Sequence, residues 1–303
     1  MRMLRDMEVF LLAADTGSLS AAARRLDMSP AAASLAVKRL EEEVDAPLFL
    51  RTTRSLRLTH EGQVFLEPCR QALQLLADGR DAALTGSATL RGVLQLSVPS
   101  DLGRNALLGW LDEFQALHPR LQLRLLLSDR LTDIYRQPVD LALRYGGLAD
   151  SSLVALPVAP QNRRILCVAP AYLQRAGMPD RPEALVNHNC LCFTLGDTVH
   201  DRWQFFRGGE EISVVVQGNR VADDGDAVRR WALAGYGIAC KSALDVADDL
   251  RAGRLVRLCG EWSGEPVPLN LICADRRQIS PLVQALRSYL TECCSAHLAG
   301  VLE

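Results

Sequence analysis

Residues 17–59 constrain this chain more than any other stretch, because they demand two short helices around a tight turn and then a hairpin. Ser29 stands before Pro30-Ala31-Ala32-Ala33-Ser34. A serine there can accept hydrogen bonds from the orphan donors of a helix start, and Pro30 sits where a missing N–H costs nothing. Ala33, Val37, Leu40 and Val44 then fall on one face as a stripe to be buried. Ala31, Ser34, Leu35 and Lys38 point to a different side and are small or cationic enough to lie in a DNA major groove. Upstream, Ser18-Leu19-Ser20-Ala21-Ala22-Ala23-Arg24-Arg25-Leu26 gives an alanine-rich helix that can pack closely on the next. The pattern is a helix-turn-helix followed by a wing that carries Arg51, Arg54 and Arg57.

Overall charge gives no support to nucleic-acid binding, since the formal net charge is −2 over 303 residues. Within the first sixty residues nine basic side chains face eight acidic ones, so local segregation has to carry the argument. The acids Glu41-Glu42-Glu43 end the second helix, whereas the arginines collect in the wing. A hydrophobic share of 49% with 23% charged residues is that of an ordinary globular protein with room for two or three domains.

Nine cysteines, without repeated metal spacing, point to a reducing compartment. Cys190 and Cys192 fall in a strand-like run and should share one face. Packed thiols are the expected reading; thiol sensing is the alternative. No charged segment leading into an apolar core and cleavage site opens the chain, and no stretch reaches about 18 apolar residues. A cytoplasmic protein outside the membrane is expected.

Residues 61–83 read as one long helix capped by Thr59. Phe65, Cys69, Ala72, Leu76 and Ala83 form its stripe, widened by Leu66, Leu73, Leu84 and Leu75. Pro68 predicts a local kink, and 85–89 read as a hinge. From 93 the period changes to strands that alternate with helices, which implies a largely parallel α/β sheet. Strands are expected at 93–98, 121–127, 140–144, 165–168, 191–194 and 269–274, a hairpin at Gly208-Gly209, and helices at 105–117, 171–176, 226–234 and 281–293. The resulting division is 1–60 for the winged helix-turn-helix, 61–89 for linker helix and hinge, and 90–303 for an α/β domain of two lobes. Lobe one takes 90–161 and 267–303, and lobe two takes 162–266.

Clefts in such folds open at strand carboxyl ends, where helix N-termini present free N–H groups. Ser100, Asp101 and Leu102 follow the first strand, Ser128 and Asp129 the next, and Arg144, Tyr145 and Gly146 a third. Phe193 and Thr194 lie in lobe two, with Asp223 and Asp224 before its helix. Ser100 is read either as a ligand contact or as a helix cap. Arg144 is read as an anion site or as a structural partner of Asp140 or Asp129. Nucleophile-elbow, phosphate-loop and zinc-protease signatures are absent. Gly235-Tyr236-Gly237-Ile238-Ala239-Cys240 half-matches a dinucleotide fingerprint, but tight helix-to-strand packing explains it better. The five histidines have no ligand spacing. No enzyme, metal or cofactor is expected.

The stretch from Gly17 through Ser29–Ser34, Leu40-Glu41, Leu48-Phe49, Arg51-Thr52-Thr53-Arg54 and Leu58-Thr59-His60-Glu61-Gly62 resembles the LysR-type transcriptional regulators. The domain order matches through essentially the whole chain. The resemblance implies a winged helix-turn-helix, a long linker helix that pairs two subunits, and a two-lobed effector domain like periplasmic binding proteins. It implies a homodimer or homotetramer on an interrupted inverted repeat of double-stranded DNA, responding to a small-molecule effector, with anionic and aromatic classes both open. The expected DNA contacts are Ser18, Ser29, Pro30, Ala31, Ser34, Leu35, Lys38, Arg51, Thr52 and Arg54. The expected effector contacts are the cleft residues above, with Ser100 at the family's hydroxyl position. Three departures stand out: Pro30 where many members carry Gln, Asp45 for a frequent Gly, and apolar Leu35 on the DNA side. A solute-binding or enzymatic α/β protein with a helical extension is the rival reading.

Overall fold

The computed structural model describes residues 2–51, 56–85, 90–130, 139–147, 153–196, 198–275 and 279–302. They form two compact units, Met1–Thr89 and Leu90–Glu303.

In the first unit α1 (Arg2–Thr16), α2 (Leu19–Arg25) and α3 (Pro30–Glu43) precede an antiparallel hairpin of β1 (Phe49–Arg51) and β2 (Leu56–Leu58), and α4 (His60–Thr85) follows. The predicted cap forms, with Ser29 Oγ accepting from the Ala32 N–H at 3.1 Å, and Ser18, not foreseen as a cap, accepts likewise from the Ala21 N–H at 3.3 Å. Such a cap is worth about 1 kcal/mol over alanine. Ala33, Val37 and Leu40 are buried as the stripe requires, with Ala36 beside them, whereas Val44 is only half-buried at the edge. Ala22 and Ala23 are fully buried, so the small residues let α2 press against the core around Phe10, Val37 and Leu40. Asp6, almost wholly buried, takes two hydrogen bonds from Arg39 at 3.0 and 2.6 Å and ties α1 to α3. Asp45 adopts φ +53°, a left-handed conformation that aspartate tolerates better than most side chains. Glu41 is more than a solvated acid: its Oε1 accepts from the N–H groups of Leu48 and Phe49 at 2.9 and 3.1 Å.

Thr59 starts α4 as expected, accepting from the Gly62 N–H at 2.8 Å and donating to the Pro47 carbonyl at 2.6 Å. The helix extends through Pro68 and on to Thr85, so Thr85 is helical where a hinge residue was expected. Gly86 to Thr89 of that hinge lie outside the described residues. The apolar stripe divides. Phe65, Leu66, Cys69 and Leu73 pack on the core of their own unit, while Leu75 and Leu76 remain about half exposed.

The second unit begins with β3 (Arg91–Val98), followed by a helical run of α5 (Ser100–Leu102), a π segment (Gly103–Leu107) and α6 (Leu108–Leu117). Then come β4 (Arg120–Leu127), β5 (Leu141–Tyr145), β6 (Val154–Ala159), β7 (Arg164–Val168), α7 (Pro170–Ala176), β8 (Cys190–Leu195), β9 (Thr198–Val199), β10 (Arg202–Arg207) and β11 (Glu210–Val215). The chain finishes through β12 (Arg220–Ala222), α8 (Gly225–Leu233), β13 (Ile238–Ser242), α9 (Ala243–Arg251), β14 (Val256–Arg257), β15 (Ser263–Gly264), β16 (Leu269–Cys273) and α10 (Pro281–Leu298).

Lobe one is the sheet β4-β3-β5-β16-β6 and lobe two the sheet β12-β8-β13-β7-β14, with β11-β10-β15 as a third layer. The expectation of largely parallel sheets needs correction. β3 lies parallel to β4 and β5, and β8 to β12 and β13, but β16, β6, β7 and β14 all pair antiparallel. The reversal follows from the chain leaving lobe one on β6 and re-entering on β16, which run beside each other in opposite senses.

Asn162 joins those crossings. Its side chain is wholly buried; Nδ2 donates to Ser242 Oγ at 2.9 Å and to the Val267 carbonyl at 2.7 Å, and its own backbone carbonyl accepts from the Val267 N–H at 3.0 Å. Gly237 shows the predicted tight packing, since a Cβ there would lie 2.5 Å from the Asn189 carbonyl oxygen. One apolar core runs from Leu96 and Leu111 in lobe one to Ala239 and Val228 in lobe two, and a second, around Trp203, Phe205 and Cys190, lies beneath the third layer.

Candidate functional site

The outer face of α3 is open. Ser29, Pro30 and Ala31 are exposed, Leu35 is 54% exposed, Ser34 is half-buried, and the Lys38 ammonium reaches the exposed Glu42 at 3.7 Å. A surface pair of that length contributes little, and the lysine can reorganise toward a phosphate. The Ser18 and Ser29 hydroxyl oxygens each accept one cap hydrogen bond, which leaves each an O–H donor and one lone pair to offer a nucleic acid. Arg51 ends β1 opposite Leu56, and Arg57 is exposed across from exposed Leu50. Thr52 and Arg54 lie outside the described residues.

The expected cleft residues of the second unit are placed quite differently. Ser100, Asp101 and Leu102 are buried where the helical run of lobe one meets α8 of lobe two. Ser100 is the first residue of its helix and Pro99 holds the cap position, so the capping reading of the Ser100 hydroxyl is corrected. Instead Ser100 Oγ donates to Asp129 Oδ2 and accepts from the Gly225 N–H at 2.9 Å. The Asp129 carboxylate also accepts from the Ser100 N–H at 2.8 Å and from the Gly225 N–H at 2.9 Å. Both of its oxygens are thus engaged at this junction, away from the Arg144 pairing considered for it.

Asp101 meets Lys241 at 2.5 Å; the same ammonium lies 3.2 Å from Asp245 and donates to the Gly225 carbonyl at 2.9 Å. Burial pushes the Asp101 carboxyl up to about 7, helped by the Asp245 charge and opposed by Lys241 and Arg229. Burial would lower Lys241, but Asp101 and Asp245 outweigh it and hold the ammonium above its ordinary range. Tyr145 donates to Asp245 at 2.7 Å, and burial together with that carboxylate keeps its phenol protonated well past the usual range. Asn105 reaches Asp101 and Asp226 at 2.9 and 2.8 Å, and Arg229 holds the fully buried Asp249 at 2.7 Å. At the rim Arg104 pairs with Asp224 and Arg130 with Asp223, at 3.0 and 2.9 Å.

Arg144 is buried and donates to the Leu143 carbonyl at 2.7 Å and to Ser97 Oγ at 2.6 Å. Ser128 Oγ accepts from the Arg130 N–H at 3.2 Å. Phe193 pairs in register with Ala222, which places it beside Asp223 in the chain. Its ring stacks on His200 at 5.0 Å with the Arg164 guanidinium 4.6 Å over it, while Glu265 bridges Arg164 and His200 at 2.6 and 2.7 Å. Thr194 sits opposite Val199 in a short antiparallel pair.

Lys241, Gly225, Asn105 and Arg229 were missed from sequence. Lys241 had one signal, a lone cation in an apolar strand, which can be buried only with partners. Cys190 and Cys192 do share a face, both packed in the second core. Burial pushes their thiols up to about 12 and about 11, so few thiolates form and a thiol-sensing role gains no support. Among the described residues no helix is long and apolar enough to cross a membrane, and no group of His, Cys, Asp or Glu is placed to hold a metal.

Residues 4–63 match the family described as "Bacterial regulatory helix-turn-helix protein, lysR family", and residues 87–295 match the LysR substrate binding domain. The probable HTH-type transcriptional regulator LtrA of Klebsiella pneumoniae is 33% identical, covering 100% of this chain and 98% of its own. The HTH-type transcriptional activator AaeR of Escherichia coli is 28% identical, covering 96% and 94%. The solved structure of CrgA, a LysR-type transcriptional regulator from Neisseria meningitidis, superposes with a TM-score of 0.59 at 28% identity, covering 97% and 98%. With an outward recognition helix in one unit and a two-lobed sheet domain in the other, the chain belongs to the LysR family: a DNA-binding transcriptional regulator with an effector-binding domain, and not an enzyme.

Proposed function

We propose that this regulator binds an interrupted inverted repeat as a homo-oligomer, with α3 of each subunit in a major groove and the wing alongside. The observation that carries the reading is the division of α3 into a buried stripe and an open face of Ala31, Ser34, Leu35 and Lys38. Leu35 suits thymine methyls, Pro30 offers no base hydrogen bond from its side chain, and Lys38 supplies a phosphate contact. The family resemblance adds Arg51, Thr52 and Arg54 as expected DNA contacts. The half-exposed Leu75 and Leu76 on α4 support subunit pairing along that helix, as a dimer or as half of a tetramer. Work on chromosomal DNA places the protein in the cytoplasm.

The effector is a small molecule received between the lobes. Its proposed contacts are Ser100, Asp101, Leu102, Ser128, Arg144, Tyr145, Phe193, Thr194 and Asp223. Arg130 offers a cation to an anionic effector and Phe193 a ring to an aromatic one.

Sites bound across the source genome would give the operator, and a salt titration on it tests the interface. Lys38→Ala should weaken binding to every sequence alike and lower the salt slope by about one for each phosphate that the lysine had neutralised. An unchanged slope would take Lys38 off the DNA.

A further inference from the structure

The contact that fastens the lobes is a free-standing acid on two backbone amides. Asp129 follows β4 in lobe one and is not part of either helix that it touches. It accepts the N–H of Ser100, which opens the helical run of lobe one, and the N–H of Gly225, which opens α8 of lobe two. The Ser100 hydroxyl lies between them, donating to Asp129 and accepting from Gly225. Two helix starts that would otherwise present positive ends to each other are thereby joined through one negative charge. The approach is close: a Cβ on Gly225 would stand 3.2 Å from Lys241 Nζ and 3.5 Å from Ser100 Oγ. The surrounding links, Asp101 with Lys241, Arg104 with Asp224 and Arg130 with Asp223, all cross the same junction. Their cations come from both sides, so Asp129 is the acid among them that is held by hydrogen-bond donors and not by an opposing charge.

We propose that Asp129 is a built-in latch, a tethered carboxylate that closes lobe two onto lobe one without any bound molecule. Being part of the chain, it occupies the gap at a high effective concentration, and the closed form is the resting form of the domain. An event that opens the lobes has to lift this carboxylate off the Gly225 amide first. The latch is independent of the effector reading, since it acts in the protein alone.

Chemical rescue on the full-length protein, without DNA or effector, tests this. Asp129→Ala should raise hydrogen exchange roughly tenfold in peptides that cover 100–107 and 222–233, relative to wild type. Sodium acetate at fixed pH and ionic strength should restore much of that protection and raise the midpoint of thermal unfolding, whereas chloride should do neither. Wild type, with the gap filled, should not respond to acetate. Unchanged exchange in the variant, or a raised exchange that acetate does not reduce, would overturn the latch. If Asp129→Ala is recovered unfolded, Asp129→Asn carries the test: its neutral oxygen should give intermediate protection. Protection equal to wild type in that variant would show that the negative charge is not needed and would equally overturn the proposal.

Discussion

The two units handle polar side chains in opposite ways. On α3 the side chains read as functional stay at the surface, and the helix directs its hydrogen bonds to caps and to Asp6–Arg39 at its back. Between the lobes, Ser100 and Asp101 are buried and already engaged through Asp129 and Lys241, and Tyr145 is engaged through Asp245. A surface that must recognise a long partner can be rigid and open, because docking needs no internal change. A junction that must change state needs interactions that hold one state until something displaces them. The contrast also explains which mutations should be costly. On the open face a substitution alters binding and spares folding, while at the junction it alters folding first.

The largest effect expected at the junction is from Lys241→Met, which leaves Asp101 and Asp245 buried without their ammonium. Breaking a buried pair from one side costs about 3–5 kcal/mol, to be read in urea unfolding of the full chain. A loss of under about 1 kcal/mol would mean the junction is wetter than its geometry implies, and the contrast between the units would weaken. On the open face, Ser34→Asp should lower operator affinity by roughly a hundredfold or more by setting a negative charge toward phosphates. Its unfolding midpoint should stay close to wild type. A variant that binds normally would put the recognition face elsewhere on α3.

A smaller effect concerns pH. The Asp101 carboxyl is raised from 3.8 to about 7 in the folded chain, so in that interval the folded state holds a proton that the unfolded state has released. Its contribution to stability is therefore complete below about 4 and is lost as the pH rises through about 7. Asp101→Asn should flatten the stability profile across that window. A profile with the same slope as wild type would transfer the titration to another group.

Much of the first unit was legible because its signals are local. Ser29, Pro30 and Asp45 act within four residues of themselves, and the α3 stripe repeats at helical spacing. The long-range contacts were not. Asp129 touches residues 29 and 96 positions away, and nothing in its neighbourhood announces either. Two of the elements that went unread did so for specific reasons. Pro157 argues against a strand at Val154–Ala159, yet β6 is the sheet edge, where a missing N–H is tolerated. Asp245, Asp248 and Asp249 make Ala243–Arg251 look solvated, but Asp245 and Asp249 are buried and paired to Lys241, Arg229 and Arg254. Lys38 and Glu42 were legible for the opposite reason: an exposed face has no hidden partner to supply.

Asn162 gives the domain a fulcrum. Because one side chain binds across both crossings, to Val267 on the returning strand side and to Ser242 at the root of α9, the two connections cannot slide past each other independently. A separation of the lobes that preserves those bonds has to turn about this side chain, and it has to part the rim pairs Arg130–Asp223 and Arg104–Asp224.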